Sequence, residues 1–371
     1  YYYENAIFTK NNAMLEAEWI RRQALGIGFD DCGVARCRRL DERAEGFSAW
    51  LAEGNHAGLG YLERHADKRL DPALLVEGAR TVVVCLVSCN NGAWQESCRP
   101  VPDPARPWEP YPRIASYALA RDYHTTIREM LAALLDAVRR RYPGVTGRCF
   151  TDTAPLMEKS WAAEAGLGWI GKNSLLVSPR FGSFVLLGEA VLDAPADHYD
   201  TPFAGERCGT CRRCMDACPN GAITAPRRLD LRRCISRLTI ERPAPADAPR
   251  PASPATGLAE HPVSTETAPG HSPVPPADTS AALSANAPVP PPGGSAQSPP
   301  DVPGLHGWLF GCDLCQSVCP YNRQAPRFTH PAFAPLFRPD EMSRETWLAL
   351  SPAAFPTRMG TTPLVRFGLE N

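Results

Sequence analysis

Apolar positions in the first 200 residues follow two periods. Ile127, Met130, Leu131, Leu134, Leu135 and Val138 recur about every 3.6 residues and predict an amphipathic helix, and residues 14–25 are a plausible first helix. Residues 80–87 include an unbroken apolar run from Val82 to Val87 and read as a strand buried on both faces; residues 149–151 and 184–192 are further strand candidates. Helical spacing returns at residues 157–165. Such alternation predicts a compact domain of mixed α and β structure, and no apolar run approaches the ~18 residues of a membrane span.

That texture stops twice. From residue 207 the chain becomes short and cysteine-rich, which places a boundary near residue 200. Between residues 243 and 303 lie 17 of the 39 prolines and no Cys, Lys, Phe, Tyr or Trp. Pro, Ala, Ser and Thr bury too little apolar area to offset chain entropy, so this stretch is expected to be a disordered insertion with polyproline II tendencies. Removing it leaves 310 of 371 residues and changes the charge. The insertion holds one Arg and five acids, so the formal charge of −1 divides into an acidic linker and a remainder with 38 basic and 35 acidic residues, net +3.

Fourteen cysteines exceed what packing needs. Residues 1–12 carry no basic stretch followed by an apolar one, so a cytoplasmic address is expected, where disulfides are disfavoured. Metal or redox chemistry becomes the first expectation for the cysteines.

Their spacing is specific. Cys208, Cys211, Cys214 and Cys218, followed by Pro219, form C-x2-C-x2-C-x3-C-P, a ferredoxin-type run whose fourth cysteine serves a second cluster. Cys312, Cys315 and Cys319, followed by Pro320, repeat its last three positions, but Leu309 stands where the first cysteine belongs. Cys234 supplies the eighth thiol. Two [4Fe-4S] clusters are therefore expected, one on Cys208, Cys211, Cys214 and Cys319, the other on Cys218, Cys234, Cys312 and Cys315. Two zinc sites are the alternative, since C-x2-C pairs also bind zinc. Cys32, Cys37, Cys85, Cys89, Cys98 and Cys149 have no ligand spacing and read as small buried hydrophobes.

Two nucleotide-like patterns coincide at Gly166, Gly168 and Gly171, with Lys172 and Asn173 extending them toward a phosphate loop. Both lack context: the glycines follow a helical pattern and not a strand, and Asn173 replaces the hydroxyl that would hold magnesium. A turn with close backbone approach is the expectation there. Lys172 is left between a cofactor's periphery and an anchor for that turn.

Taken in order, further motifs resemble the epoxyqueuosine reductases. They are Gly58, Gly60 and Tyr61 with Lys68, Arg69, Asp71 and Pro72; Tyr117 with Asp122, Tyr123 and His124; Asp152 to Pro155; and the Gly166 to Asn173 stretch. Cys234, Ser236, Thr239 and Glu241, followed by Gly311, Cys312, Asp313, Cys315, Gln316 and Cys319, continue the resemblance. It spans nearly the whole chain apart from the insertion and residues 1–12.

The resemblance implies an α+β fold. A corrinoid-binding α/β domain at 13–200, similar to that of reductive dehalogenases, would precede a mostly α ferredoxin-like domain at 201–242 and 304–340, with residues 1–12 a tail and 341–371 a shortened C-terminal segment. It implies an oxidoreductase that uses cobalamin and two [4Fe-4S] clusters to reduce epoxyqueuosine to queuosine at the wobble position of tRNA. By alignment Asp152 is the catalytic acid, expected to have a raised pKa beside the corrin. Arg69, Ser236 and Cys312 match corrinoid-contacting positions. His124 is expected in the pocket and not as a cobalt ligand. The anticodon stem-loop would be the partner of a monomer off the membrane, with electrons from a reductase or flavodoxin-type donor. Arg227, Arg228, Arg232, Arg233, Arg237 and Arg242 offer basic charge for RNA, or balance for anionic clusters. A dehalogenase-like corrinoid enzyme and a non-catalytic electron-transfer module are the rival readings.

Overall fold

The computed structural model describes residues 13–99, 111–241, 304–341, 344–351 and 353–366. The expected insertion, the N-terminal tail and Arg242 lie outside them. The described residues on both sides of residue 200 belong to one compact unit.

Its centre is a four-stranded antiparallel sheet. The strands among the described residues are β1 (Asp31–Arg36), β2 (Thr81–Ser88), β3 (Arg113–Ile114), β4 (Gly147–Phe150), β5 (Trp169–Ile170), β6 (Leu176–Val177), β7 (Val185–Leu192), β8 (Ile223–Ala225), β9 (Arg228–Leu229) and β10 (Trp308–Phe310). The sheet runs β1-β2-β7-β4. All eight residues of β2 are buried because both faces are covered. On one face Val83, Cys85 and Val87 pack with Ile20 of the helix Ala17–Ile27 and with Ile127, Leu131 and Leu134 of the helix Tyr123–Arg141. On the other, Val82, Val84 and Leu86 pack with Trp161 of the helix Glu158–Glu164. Trp161 is fully buried; truncating such a side chain to alanine costs about 3–5 kcal/mol.

These elements match the expected helices and strands to within a few residues. Strand β1 was not expected, because Cys32, Gly33 and Ala35 are too small to give a clear apolar alternation. Gly33 shows why smallness is needed: a Cβ there would lie 2.1 Å from the carbonyl oxygen of Ala165.

The long helix begins where Asp122 caps it, accepting a 3.0 Å bond from the His124 backbone N–H. Arg139, Arg140 and Arg141 occupy its last turn, where the helix dipole favours cations. Beyond residue 200 the helices are short, Arg213–Asp216, Ile235–Ile240 and Leu314–Ser317, beside the β8–β9 hairpin. Strand β10 pairs in parallel with β3, which ties the second cysteine motif to the N-terminal part of the chain.

Gly166 ends the helix Glu158–Glu164 with φ +75°, and β5 then pairs with β6. A Cβ on Gly168 would meet the Val177 carbonyl oxygen at 2.3 Å. The glycine motif is therefore a helix-to-hairpin join, and what approaches it is backbone.

Candidate active site

Strand β4 delivers Asp152 into a cavity of about 220 Å³. Thr151 fixes the strand end by donating to the Leu187 carbonyl at 3.0 Å. Asp152 then takes a left-handed conformation, φ +57°, which Asp tolerates better than most residues and which here turns its carboxylate toward the start of the helix Tyr123–Arg141. Its side chain is 57% exposed and lines the cavity.

Two groups grip this carboxylate. The Tyr123 hydroxyl donates to Oδ2 at 2.8 Å, and His124 Nε2 lies 3.0 Å from the same oxygen. The other ring nitrogen, Nδ1, lies 2.7 Å from Asp122 Oδ1. His124 thus bridges the Asp122 and Asp152 carboxylates through its two ring nitrogens. Neither nitrogen faces outward as a metal ligand. The two rings stack at 4.0 Å, which fixes the histidine's plane.

The electrostatics correct one expectation. Burial pushes the Asp152 carboxyl up, but the hydrogen bonds from His124 and Tyr123, with the charges of His124 and Lys159, outweigh it and hold Asp152 below its ordinary value. The raised acid is its neighbour. Burial and the Asp152 charge push Glu158 up to about 7, against the pull of the Asp152 backbone N–H, Lys159 and His124. Behind it, Glu189 is fully buried on β7 and is also raised, by burial and by the charges of Glu158 and Asp152. Glu158 and Glu189 were not among the expected site residues. A Glu inside the apolar 184–192 run was the available signal.

The opposite wall comes from the cysteine-rich region. Asp313 and Gln316 line the same cavity as Asp152, Glu158 and Lys159. Both flank Cys312 and Cys315 in sequence. Asp313 is buried and is pushed up to about 6 by that burial, against the hydrogen bond it accepts from Ser116. Cys89 also lines the cavity, as a buried thiol.

The motif cysteines are electrostatic neighbours of one another. Cys214 feels Cys208, Cys319 and Cys211, and Cys319 feels Cys208 and Cys211. Cys315 feels Cys234, Cys214 and Cys218; Cys312 feels Cys315 and Cys234; and Cys234 feels Cys218. Cys214, expected in the other set, is a stronger neighbour of Cys315 than Cys218 is, so these contacts alone do not separate the two expected sets. Among the described residues no three His, Cys, Asp or Glu side chains converge on the tight shell of a single ion. Lys172, buried, donates to the carbonyls of Gly209 and Cys211, so it anchors the first cysteine loop instead of a cofactor's rim or the Gly166 turn.

Arg69 sits on the helix Ala66–Leu70 and donates to the Tyr61 carbonyl at 3.2 Å. Burial lowers its pKa, while the charges of Tyr61, Glu158 and Asp152 oppose that, which sets the guanidinium beside the cavity acids. Its buried Nε and that of Arg237 lack hydrogen-bond partners. Ser236 lies on the helix Ile235–Ile240, which Arg237 ties to the Ala57 carbonyl and Glu241 ties to the Tyr61 hydroxyl. The unmet donor of Arg69, beside the cavity acids, suits a ligand whose edge carries amide carbonyls, as a corrinoid's does. The basic run is less open than its sequence suggests. Arg227 pairs with Glu206, Arg228 with Glu53 and Arg232 with Asp230.

Among the described residues no helix is long and apolar enough to cross a membrane. Residues 69–153 match the family domain described as "Epoxyqueuosine reductase QueG, DUF1730", and residues 207–253 match a "4Fe-4S double cluster binding domain". Among similar proteins, an epoxyqueuosine reductase of Cyclobacterium marinum is 35% identical over 317 residues, 85% of this chain and 82% of the relative. One of Xanthomonas campestris is 32% identical over 99% of this chain and 86% of its own. The fold is that of a crystal structure of epoxyqueuosine reductase with an epoxyqueuosine-modified tRNA stem loop, with a TM-score of 0.67 at 24% identity, covering 93% of this chain and 76% of the other.

Proposed function

This chain belongs to the epoxyqueuosine reductase family, and on that premise we propose that it reduces epoxyqueuosine to queuosine at the wobble position of a tRNA anticodon. The observation that carries the proposal is a single cavity with an acid on one wall and the residues beside Cys312 and Cys315 on the other. Reducing an epoxide to an alkene takes two electrons and two protons and releases water, so an acid and an electron source must meet at one place.

Cys208, Cys211, Cys214 and Cys319 would hold one [4Fe-4S] cluster, and Cys218, Cys234, Cys312 and Cys315 the other. The second set lies against the cavity, since Lys159, which lines the cavity, is an electrostatic neighbour of Cys234. Arg69 and Ser236 would hold the corrinoid, with Cys312 close to it. When bound, that group supplies a low-potential metal able to reduce the epoxide. Asp152 is the proton donor to the departing oxygen. Tyr123 and His124 orient it, and the apolar wall of Leu175, Leu176 and Leu187 excludes bulk water.

An anticodon stem-loop is the macromolecular substrate, which places the enzyme in the cytoplasm. A reductase or flavodoxin-type protein would supply electrons to a monomer. The test is mass spectrometry of epoxyqueuosine-containing tRNA incubated with reconstituted protein, cobalamin and reductant. Loss of one oxygen at the wobble base is expected; an unchanged mass with fully loaded protein would sink the proposal.

A further inference from the structure

Two protons are needed, and the residue that must deliver them is held in a setting that favours its ionised form. Asp152 accepts from Tyr123 and His124 at one oxygen. Its backbone N–H donates to Glu158 Oε1. Glu158 lines the cavity beside it, at the first position of the helix Glu158–Glu164. Glu189 stands opposite Phe150 of β4 and Val84 of β2, on the sheet face that this helix covers. It is wholly inaccessible, and neither of its oxygens makes a well-formed hydrogen bond. Its carboxyl nonetheless has those of Glu158 and Asp152 as charge neighbours, Glu158 the stronger.

A buried carboxyl without partners in a central strand is costly unless it is neutral or has a task. Replacing it with Leu or Val would suit the β7 pattern better. Two neighbouring buried carboxyls resist ionising together, so each favours the protonated form of the other.

We propose that Glu189 and Glu158 form a proton store behind Asp152, with Glu158 at the cavity wall recharging Asp152 between the two protonations of the departing oxygen. The inference rests on the reductase reading. The balance closes within it: two electrons arrive through the clusters, both protons end on the oxygen that leaves as water, and the carboxyl pair is reprotonated from solvent through the cavity. The charged or titratable groups that face Glu158 are Asp152, Glu189, His124, Lys159, Arg69 and Tyr123. The elevation of Glu158 to about 7 agrees with a group that holds its proton at neutral pH and can release it.

The test compares wild type, Glu158→Gln, Glu158→Asp and Glu189→Gln as holoenzymes, reduced and mixed with an epoxyqueuosine-bearing anticodon stem-loop. Single-turnover oxygen loss is followed from about pH 6 to about pH 9. The wild-type rate should fall as pH passes about 7. Glu158→Gln should slow the step on the order of 10²-fold and flatten that fall, with stem-loop affinity and cofactor content unchanged. Glu158→Asp should recover part of the rate and a pH-dependent limb, and Glu189→Gln should slow the step with affinity intact. A Glu158→Gln enzyme with wild-type rate and profile would overturn the inference, as would equal losses in the Gln and Asp variants with the wild-type limb retained.

A second readout needs no turnover. In the cofactor-free protein at neutral pH, the infrared C=O stretch of a protonated, dry carboxyl should be present in wild type and weaker in Glu189→Gln. Its absence from wild type overturns the store. If wild type removes no oxygen while that band is present, the reductase reading has failed and the store has not.

Discussion

The backbone N–H of Ser116 donates a 2.7 Å hydrogen bond to the carboxylate of Asp313, and both residues are buried. This bond fastens the residue after Cys312 to the wall that also presents Tyr117 and Asp152. It also bridges 197 residues of sequence. Asp313→Ala leaves that N–H without an acceptor, a loss of about 1–3 kcal/mol. Asp313→Asn keeps an acceptor oxygen and should lose less. Thermal melts of the two variants beside wild type check the order; an Ala variant as stable as the Asn variant would mean that water replaces the carboxylate.

Why the fold was legible in part follows from the same geography. Strand β2 announces itself because every side chain on it meets apolar neighbours, so no polar residue interrupts the run. Strand β1 is silent because Gly33 lies hard against the Ala165 carbonyl, and small residues such as Gly33 and Ala35 carry no period. The cysteine framework was visible because cluster ligation demands fixed local spacing, while Cys234 needed only a count. What could not be read was the electrostatics at Asp152. Its lowered pKa comes from Tyr123 and His124, which lie 29 and 28 residues away and reach it only through the packing of one helix against β4. Glu158 and Glu189 were missed for a related reason: one resembles an ordinary acid in a helix's first turn, and the other is hidden in a strand.

The division of cysteines makes a numerical prediction. Cys319→Ser should behave like Cys208→Ser, and Cys234→Ser like Cys312→Ser, each leaving one cluster's iron and sulfide of the two. Cys319 and Cys312 are seven residues apart yet should affect different clusters, distinguishable by their electron paramagnetic resonance signals after reduction. If Cys319→Ser and Cys312→Ser abolish the same signal, the assignment is wrong.

Asp152→Asn should keep both clusters and the corrinoid, because no motif cysteine, Arg69 or Ser236 depends on its charge for position. Turnover should fall by at least about 10²-fold. Tyr123 can still donate to the amide oxygen, so the side chain should stay in place, and stem-loop affinity should change little. Near-normal turnover by this variant in a purified assay would remove Asp152 from the chemistry.

The carboxyl pair also predicts how stability depends on pH. Glu158 in the folded protein is raised from 4.5 to about 7, so between those values the native state binds more protons than the unfolded one. Stability must therefore fall as pH rises through that window and level off above it, opposite in sign to the usual salt-bridged carboxylate. The full window of that shift corresponds to about 3 kcal/mol at most, and relaxation of the site reduces this to the order of 1–3 kcal/mol. Glu158→Gln retains an oxygen for the Asp152 backbone N–H and removes the titration. At about pH 5 the variant and wild type should be similar in stability, and at about pH 8 the variant should be the more stable. Glu189→Gln should show the same sign, because burial raises its carboxyl too. Urea denaturation of the cofactor-free proteins at the two pH values measures the difference. A gap that stays constant between them would mean that neither carboxyl holds its proton in the folded state.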